Sequence, residues 1–227
     1  FSSNGDGELM ATYKGIKGFT IQTIAGDPPA PIEGQVWYNT TSNVLKGYAS
    51  VAGAWASGTA TNTGRASAAG AGASNSSALF IAGHTGGPLA FVALTEKYDG
   101  STWTEVGDLN TKRYSLGGVG TTTAAIVMGG YTGSYPMRVE TETYNGTAWT
   151  EVADINAGRN IFGSAAGTST ASLIMGGQMP PGAPPSPSAL VESWNGTSWT
   201  VSPAMPVGIA NAAGFGIQTA AVTAGGW

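Results

Sequence analysis

Few side chains in this sequence could carry catalysis or hold a metal ion. Its 227 residues include one histidine, His84, and no cysteine, which leaves no thiol nucleophile and no set of several histidines or cysteines for a metal. The 13 Asp and Glu residues show no spacing typical of glycosidase carboxylates, although a pair assembled across strands would not be visible in the sequence. We therefore predict no catalytic residue, no metal site and no cofactor, and expect the protein not to be an enzyme.

An acid and an arginine recur at a fixed separation. Glu96 and Arg113 are 17 residues apart, and so are Glu142 and Arg159. An acid facing the arginine that opens the next repeat would form a structural ion pair, whose desolvation is offset by the partner and by hydrogen bonds. Glu192 has no arginine at the matching place, where the sequence reads Val-Gly-Ile over residues 207–209. A catalytic residue is expected in one repeat only, whereas these residues recur in several. We therefore predict a structural role for them.

The whole chain is organised by a repeat of about 47 residues. Four of its seven tryptophans are spaced by 48, 46 and 50 residues, at Trp55, Trp103, Trp149 and Trp199. An apolar run that closes on glycine recurs with spacings of 47, 47 and 49, ending at Gly83, Gly130, Gly177 and Gly226. A period of this length indicates a solenoid, a propeller or an array.

Each repeat carries four strand-like pieces, A to D. Piece A is rich in glycine and covers residues 67–73, 115–121, 163–168 and 212–217. Piece B is a short apolar run, typical of a buried strand, over residues 78–83, 124–130, 171–177 and 220–226. Piece C ends in an aromatic residue followed by Asp-Gly or Asn-Gly, a strong hairpin signal, and piece D carries the tryptophan. Four antiparallel strands per repeat indicate a propeller blade.

The two ends of the chain hold complementary halves of a repeat. Residues 37–48 predict a hairpin turning at 39–43, and with Trp55 they supply pieces C and D, whereas residues 207–227 supply only A and B. Three complete repeats lie between them. We predict an all-β, four-bladed propeller over residues 34–227, with one blade shared by both ends; the alternative is that further blades follow Trp227. Glycine in piece A would let the innermost strands approach closely.

Residues 1–33 are predicted to form an extended N-terminal arm that ends in a proline-rich linker. Residues 19–24 alternate as a strand does, which makes Phe19, Ile21 and Ile24 the candidate assembly residues. Such a strand can add to a neighbour's sheet, and head-to-tail contacts of this kind give rings or filaments.

The loops between pieces B and C vary between repeats, unlike the short A–B turns. Loops on a rigid scaffold commonly carry binding. The candidate ligand or subunit-contact residues are His84, Tyr131, Tyr135, Arg138, Gln178, Met179 and Trp227. Trp227 aligns with His84, Tyr131 and Gln178, directly after the glycine pair, where it either stacks on a sugar or ends the chain. The four repeated tryptophans are predicted to pack between blades, because a residue repeated in every blade suits packing better than sugar binding.

The charge pattern argues against nucleic acid and membrane partners. The net charge is −4, and the nine Lys and Arg are dispersed, whereas nucleic acid requires clustered cations. No apolar run approaches the length of a membrane span, so we expect no membrane insertion.

The order of arginine, Gly-Gly, Glu-x-Tyr and tryptophan resembles the kelch repeat. The glycine-rich sequence of the repeats is similar to kelch-like repeats in tail-fibre and appendage proteins of tailed marine phages. Residues 34–46 resemble a segment near the start of such virion proteins. The resemblance implies a non-enzymatic structural subunit of an extracellular or virion assembly, with itself and other virion proteins as partners. The alternatives are a carbohydrate-binding phage adhesin that reads host surface glycans with the B–C loop face, and a glycan-cleaving enzyme. Kelch-based copper oxidases need a cysteine-linked tyrosine, which this chain cannot supply.

Overall fold

The computed structural model describes the strand residues Ser2–Ser3 and Leu9–Met10 and residues 21–32, 34–48, 57–87, 90–180 and 187–227. All regular secondary structure in these residues is β. The chain divides into two compact units, Phe1–Ser57 and Gly58–Trp227. No helix of the described residues is long and apolar enough to cross a membrane.

The first unit holds two small sheets. Strands β1 (Ser2–Ser3) and β2 (Leu9–Met10) pair with each other. Strand β3 (Gln22–Ile24) pairs in parallel with β4 (Val36–Asn39), and β4 pairs antiparallel with β5 (Val44–Gly47). The predicted hairpin with its turn at 39–43 is therefore confirmed. Of the predicted strand at 19–24, the structure forms Gln22–Ile24 as β3, while Phe19 and Thr20 lie outside the described residues.

A carboxylate holds the proline-rich linker to this hairpin. Asp27 Oδ1 accepts hydrogen bonds from Trp37 Nε1 at 3.1 Å, from Asn39 Nδ2 at 2.8 Å and from Lys46 Nζ at 2.9 Å. These bonds, that to Lys46 first, hold the pKa of Asp27 below its ordinary value. The start of the linker is thereby tied to both strands of the hairpin.

The second unit contains three four-stranded antiparallel sheets and one two-stranded sheet, each in chain order. The first sheet consists of β6 (Ala69–Ser74), β7 (Ser77–His84), β8 (Phe91–Tyr98) and β9 (Trp103–Glu105). The second consists of β10 (Gly117–Gly120), β11 (Ala125–Met128), β12 (Thr141–Tyr144) and β13 (Trp149–Val152). The third consists of β14 (Ala165–Gly167), β15 (Ser172–Met175), β16 (Val191–Trp194) and β17 (Trp199–Ser202). The last pairs β18 (Ala212–Ile217) with β19 (Ala220–Gly225). Pieces A to D are confirmed as strands in three repeats, and A and B in the fourth.

Two of the four repeated tryptophans, Trp149 and Trp199, pack against the preceding sheet as predicted, while Trp55 lies outside the described residues. Trp149 Nε1 donates to Thr95 Oγ1 of the preceding sheet at 3.1 Å, and Trp199 Nε1 donates to Thr141 Oγ1 at 3.0 Å. Both tryptophans and both threonines of these bonds are buried. Each bond satisfies an indole N–H that would otherwise lose its hydrogen bond to water on burial.

Replacing Thr141 with valine is expected to lower the free energy of unfolding by about 1–3 kcal/mol, because the indole N–H of Trp199 would stay buried without an acceptor. Thr150→Val on the neighbouring strand β13 is the matched control, since Thr150 is exposed. Urea unfolding of both variants measures the difference. Equal stability of the two would contradict the assigned role of the bond.

The first strands of the four sheets, here called the innermost strands because they line a common cavity, approach one another closely at their glycines. Strands β6, β10, β14 and β18 line one cavity of about 370 Å³. A Cβ atom on Gly118 would lie 2.9 Å from Ala69 Cβ, and one on Gly214 would lie 2.5 Å from Ala165 O. The prediction that piece A uses glycine for close approach is confirmed.

The predicted partners of the acid–arginine pairs are wrong. Each arginine pairs with the acid of its own repeat: Arg65 with Glu96 at 2.7 Å, Arg113 with Glu142 at 3.0 Å and Arg159 with Glu192 at 2.5 Å. All six side chains are buried. Glu192 therefore has an arginine partner, which lies 33 residues before it.

The arginine backbone and side chain explain this correction. The carbonyl of Arg159 accepts a hydrogen bond from Gly130 N of the preceding sheet at 3.0 Å, which is the neighbour that the 17-residue spacing suggested. Its guanidinium instead enters its own sheet, where Nε donates to Gly176 O at 2.8 Å. Asn156, three residues earlier, donates from its backbone N and from Nδ2 to Glu192 Oε2, both at 2.7 Å. The Asn-x-x-Arg segment thus links two sheets and satisfies the acid.

Candidate functional site

The residue after the glycine that closes each apolar run occupies the same place in all four repeats. His84 forms a β-bridge with Ala66, Tyr131 with Tyr114, and Gln178 with Asn160. Trp227 and Ala210 exchange the equivalent hydrogen bonds at 3.1 and 3.0 Å. The predicted alignment of Trp227 with the other three residues is confirmed. The backbone here is repeated fourfold, but the side chains it carries differ.

Five rings from two of these repeats form a continuous cluster, here called the aromatic row. It consists of His84, Phe91, Tyr114, Tyr131 and Tyr135. Phe91 stacks on Tyr114 with centroids 5.0 Å apart, and His84 lies 5.6 Å from each of these two rings. Tyr131 follows 5.6 Å from Tyr114, and Tyr135 lies 5.4 Å from Tyr131. The buried end of the row is Phe91, and the outer end is Tyr135, whose side chain is 54% exposed.

The row carries hydrogen-bonding groups as well as ring faces. Gly86 N donates to His84 Nδ1 at 3.0 Å, so the proton of the neutral imidazole is on Nε2, which can donate to a ligand. Burial raises the pKa of the Tyr114 hydroxyl, and the hydroxyls of Tyr131 and Tyr135 raise it further. The Tyr114 phenol therefore remains a neutral donor at physiological pH.

The predicted site residues divide into three groups. His84, Tyr131 and Tyr135 belong to the aromatic row. Arg138 and Met179 lie together on a separate cleft of about 330 Å³, where Arg138 forms an ion pair with Glu140. Gln178 and Trp227 belong to neither group. Trp227 is 63% exposed at the end of β19.

Sequence reasoning missed Phe91 and Tyr114 in the row. Tyr114 directly follows Arg113, at the position occupied by Ala66, Asn160 and Ala210 in the other repeats. Comparing that position across repeats would have singled it out. Phe91 carries no such signal, because the lengths of the loops before it differ between repeats.

The structure describes two of the three predicted arm residues, Ile21 and Ile24. Ile21 is 51% exposed, and Ile24 is half-buried in β3, where its register partner is Asn39. Among the described residues, β3 has only β4 as a strand partner. Its second edge is therefore without a partner within that part of the chain.

The two-stranded sheet exposes apolar side chains, and two of them, Phe215 and Val222, stand where the second sheet has the buried Val119 and Ile126. Phe215, Ile217 and Val222 are 57%, 58% and 62% exposed, whereas all four residues of β11 are buried. A cleft of about 430 Å³ lies beside it, lined by residues that include Met205, Ile209 and Thr223. In the described part of the chain, β19 pairs only with β18.

The described residues hold no group of three or more His, Cys, Asp or Glu side chains that could bind a metal ion. Their buried acids Glu96, Glu142 and Glu192 are each paired with an arginine. The aromatic row thus offers ring faces and hydroxyls.

Comparison with protein-family models found no match, and a search of curated protein sequences also found none.

Proposed function

We propose that this protein is a kelch-like β-propeller that serves as a non-enzymatic structural subunit of an extracellular or virion assembly. The fold part of this proposal rests on the two-stranded sheet β18–β19, and the assembly part rests on the open edge of β3. The apolar side chains of the two-stranded sheet are exposed and its outer strand has no partner in the described residues, while three sheets of the same pattern have four strands each. Open apolar sheet edges invite pairing with further strands.

Residues 34–57 are the proposed source of the two missing strands. Trp55 lies seven residues before Asn62, and Trp103 and Trp149 lie seven residues before Asn110 and Asn156. This equal spacing supports placing Trp55 in the fourth strand of the shared blade. Trp55 itself lies outside the described residues.

The segment around Ile209 and residues 34–57 also lack the two opposite members of the buried ion pair. Ile209 stands where the complete repeats carry a buried arginine, and residues 34–57 contain no Asp or Glu. A buried acid in this blade would lack its partner and would destabilise the fold strongly. Loss of the arginine and loss of the acid together support the view that these two segments share one blade.

The arm is the proposed contact to a neighbouring subunit. The open edge of β3 and the exposed Ile21 offer backbone groups and an apolar side chain to another sheet. Addition of a strand between subunits would give a head-to-tail contact, from which rings or filaments follow.

Particle size in solution tests this proposal. The full chain is expected to form particles many times its mass of 22.7 kDa, seen as rings, tubes or filaments by negative-stain microscopy. Deleting residues 1–30, or the single change Ile21→Glu, should reduce them to single subunits. Val201→Glu is the matched control, because Val201 is an equally exposed residue of β17, outside the arm. Assemblies of unchanged size after the deletion would refute the role of the arm.

A further inference from the structure

The aromatic row occupies a bridge position that other repeats fill with side chains that are not aromatic, so the fold does not require rings there. The bridge between Asn160 and Gln178 has backbone hydrogen bonds of 3.0 and 2.8 Å, and that between Tyr114 and Tyr131 has bonds of 3.0 and 2.9 Å. The same backbone therefore forms with amide side chains and with rings. The repeat acts as an internal control, and it indicates that the rings were not selected to close the bridge.

The row is also graded from buried to exposed. Phe91 is 8% exposed and anchors the stack, whereas Tyr131 is partly exposed and Tyr135 is 54% exposed. The inner rings hold the outer ones in place, because the centroids of successive rings are 5.0–5.6 Å apart. A pre-ordered aromatic surface loses little conformational freedom when a ligand stacks on it.

We propose that the aromatic row binds a saccharide, with a pyranose ring against Tyr131 and Tyr135 and sugar hydroxyls bonded to their phenols and to His84 Nε2. This inference does not rest on the proposed assembly, since the row lies within one subunit and outside the arm.

The chemistry of the row favours a neutral sugar over other ligands that stack on rings. Nucleic-acid bases also stack, but their phosphates require clustered cations, and the net charge of the chain is −4. Arg138, which is close to Tyr135 in sequence, is neutralised by Glu140. A pyranose has an apolar face of C–H groups for the rings and hydroxyls for the phenols and the imidazole.

Binding of defined glycans by the full chain tests the proposal. The protein would be applied to a printed array of neutral and acidic oligosaccharides, and the strongest glycan would then be titrated by calorimetry. Tyr135→Ala is expected to weaken binding about tenfold, because it removes the outermost stacking face. Tyr135→Phe should retain most of the affinity, since it keeps the ring. Thr150→Ala, at an exposed residue of β13 outside the row, is the control and should bind as the unsubstituted protein does.

Three results would overturn the proposal. The first is an array on which no glycan binds above the blank surface. The second is binding that Tyr135→Ala and Tyr131→Ala leave unchanged. The third is binding of a synthetic proline-rich peptide of residues 25–34 at these tyrosines in place of any glycan, which would make the row a contact between copies of the chain. Because Tyr135 is largely exposed, its variants should fold, and a circular dichroism spectrum checks this.

Discussion

Replacing Arg159 with methionine is expected to lower the free energy of unfolding by about 3–5 kcal/mol, because it leaves the carboxylate of Glu192 buried without its partner. Both side chains of this pair are fully buried, and the guanidinium also donates to the carbonyls of Gly176 and Ala157. Burial holds the pKa of Arg159 below its ordinary value, while the hydrogen bond and charge of Glu192 oppose that shift. Urea unfolding followed by tryptophan fluorescence measures the change.

Two further variants separate charge from packing. The double change Arg159→Met with Glu192→Leu should recover much of the lost stability, because no unpaired charge remains buried. The fourth repeat already carries Ile209 at the arginine position, so an apolar residue is compatible with this backbone. Lys112→Met removes an exposed cation and should change stability by less than about 0.5 kcal/mol. If Arg159→Met is as stable as Lys112→Met, the ion pair is not a structural requirement.

Gly214→Ala is expected to destabilise the protein by about 3 kcal/mol, because the innermost strands leave no room for a side chain there. The added Cβ atom would lie 2.5 Å from the carbonyl oxygen and 2.6 Å from the nitrogen of Ala165 on the neighbouring innermost strand. Both atoms belong to the backbone, so relief requires moving a strand and not a flexible side chain. Thermal unfolding is the measurement.

Gly70→Ala provides a control whose expected effect on stability has the opposite sign. Gly70 also lies on an innermost strand, but a Cβ atom there would meet nothing closer than Leu79 O at 3.9 Å. The substitution restricts the unfolded chain and should stabilise by about 0.5 kcal/mol. Equal effects of the two substitutions would show that the spacing between innermost strands does not limit the sequence.

The repeat made most of the strands predictable. Strand β18 begins and ends where the sequence predicted piece A, and Tyr144 pairs with Trp149 across the turn that Asn145 and Gly146 signalled. Asn145 Oδ1 accepts hydrogen bonds from the backbone of Thr147 and Ala148, and Gly146 adopts a positive φ of 96°. Turn chemistry of this kind is local, which is why four residues suffice to predict it.

The ion pairs show where sequence reasoning fails. Arg113 lies 17 residues after Glu96 and 29 residues before Glu142, and only the second acid is its partner. Spacing places the arginine beside both sheets, because its backbone joins one and its side chain enters the other. The direction of a long side chain depends on packing, so the choice between two equally repeated acids could not be made from the sequence.

The sequence by itself determined the all-β class, the four strand pieces of each repeat and the packing role of the tryptophans, because these depend on local turn chemistry and on apolar periodicity that recurs. Only the tertiary structure decided which acid each arginine meets and that His84, Tyr131 and Tyr135 join Phe91 and Tyr114 in one aromatic row. The physical reason is the same in both cases. Contacts between side chains from different repeats depend on the distance and angle between sheets, which no single repeat encodes.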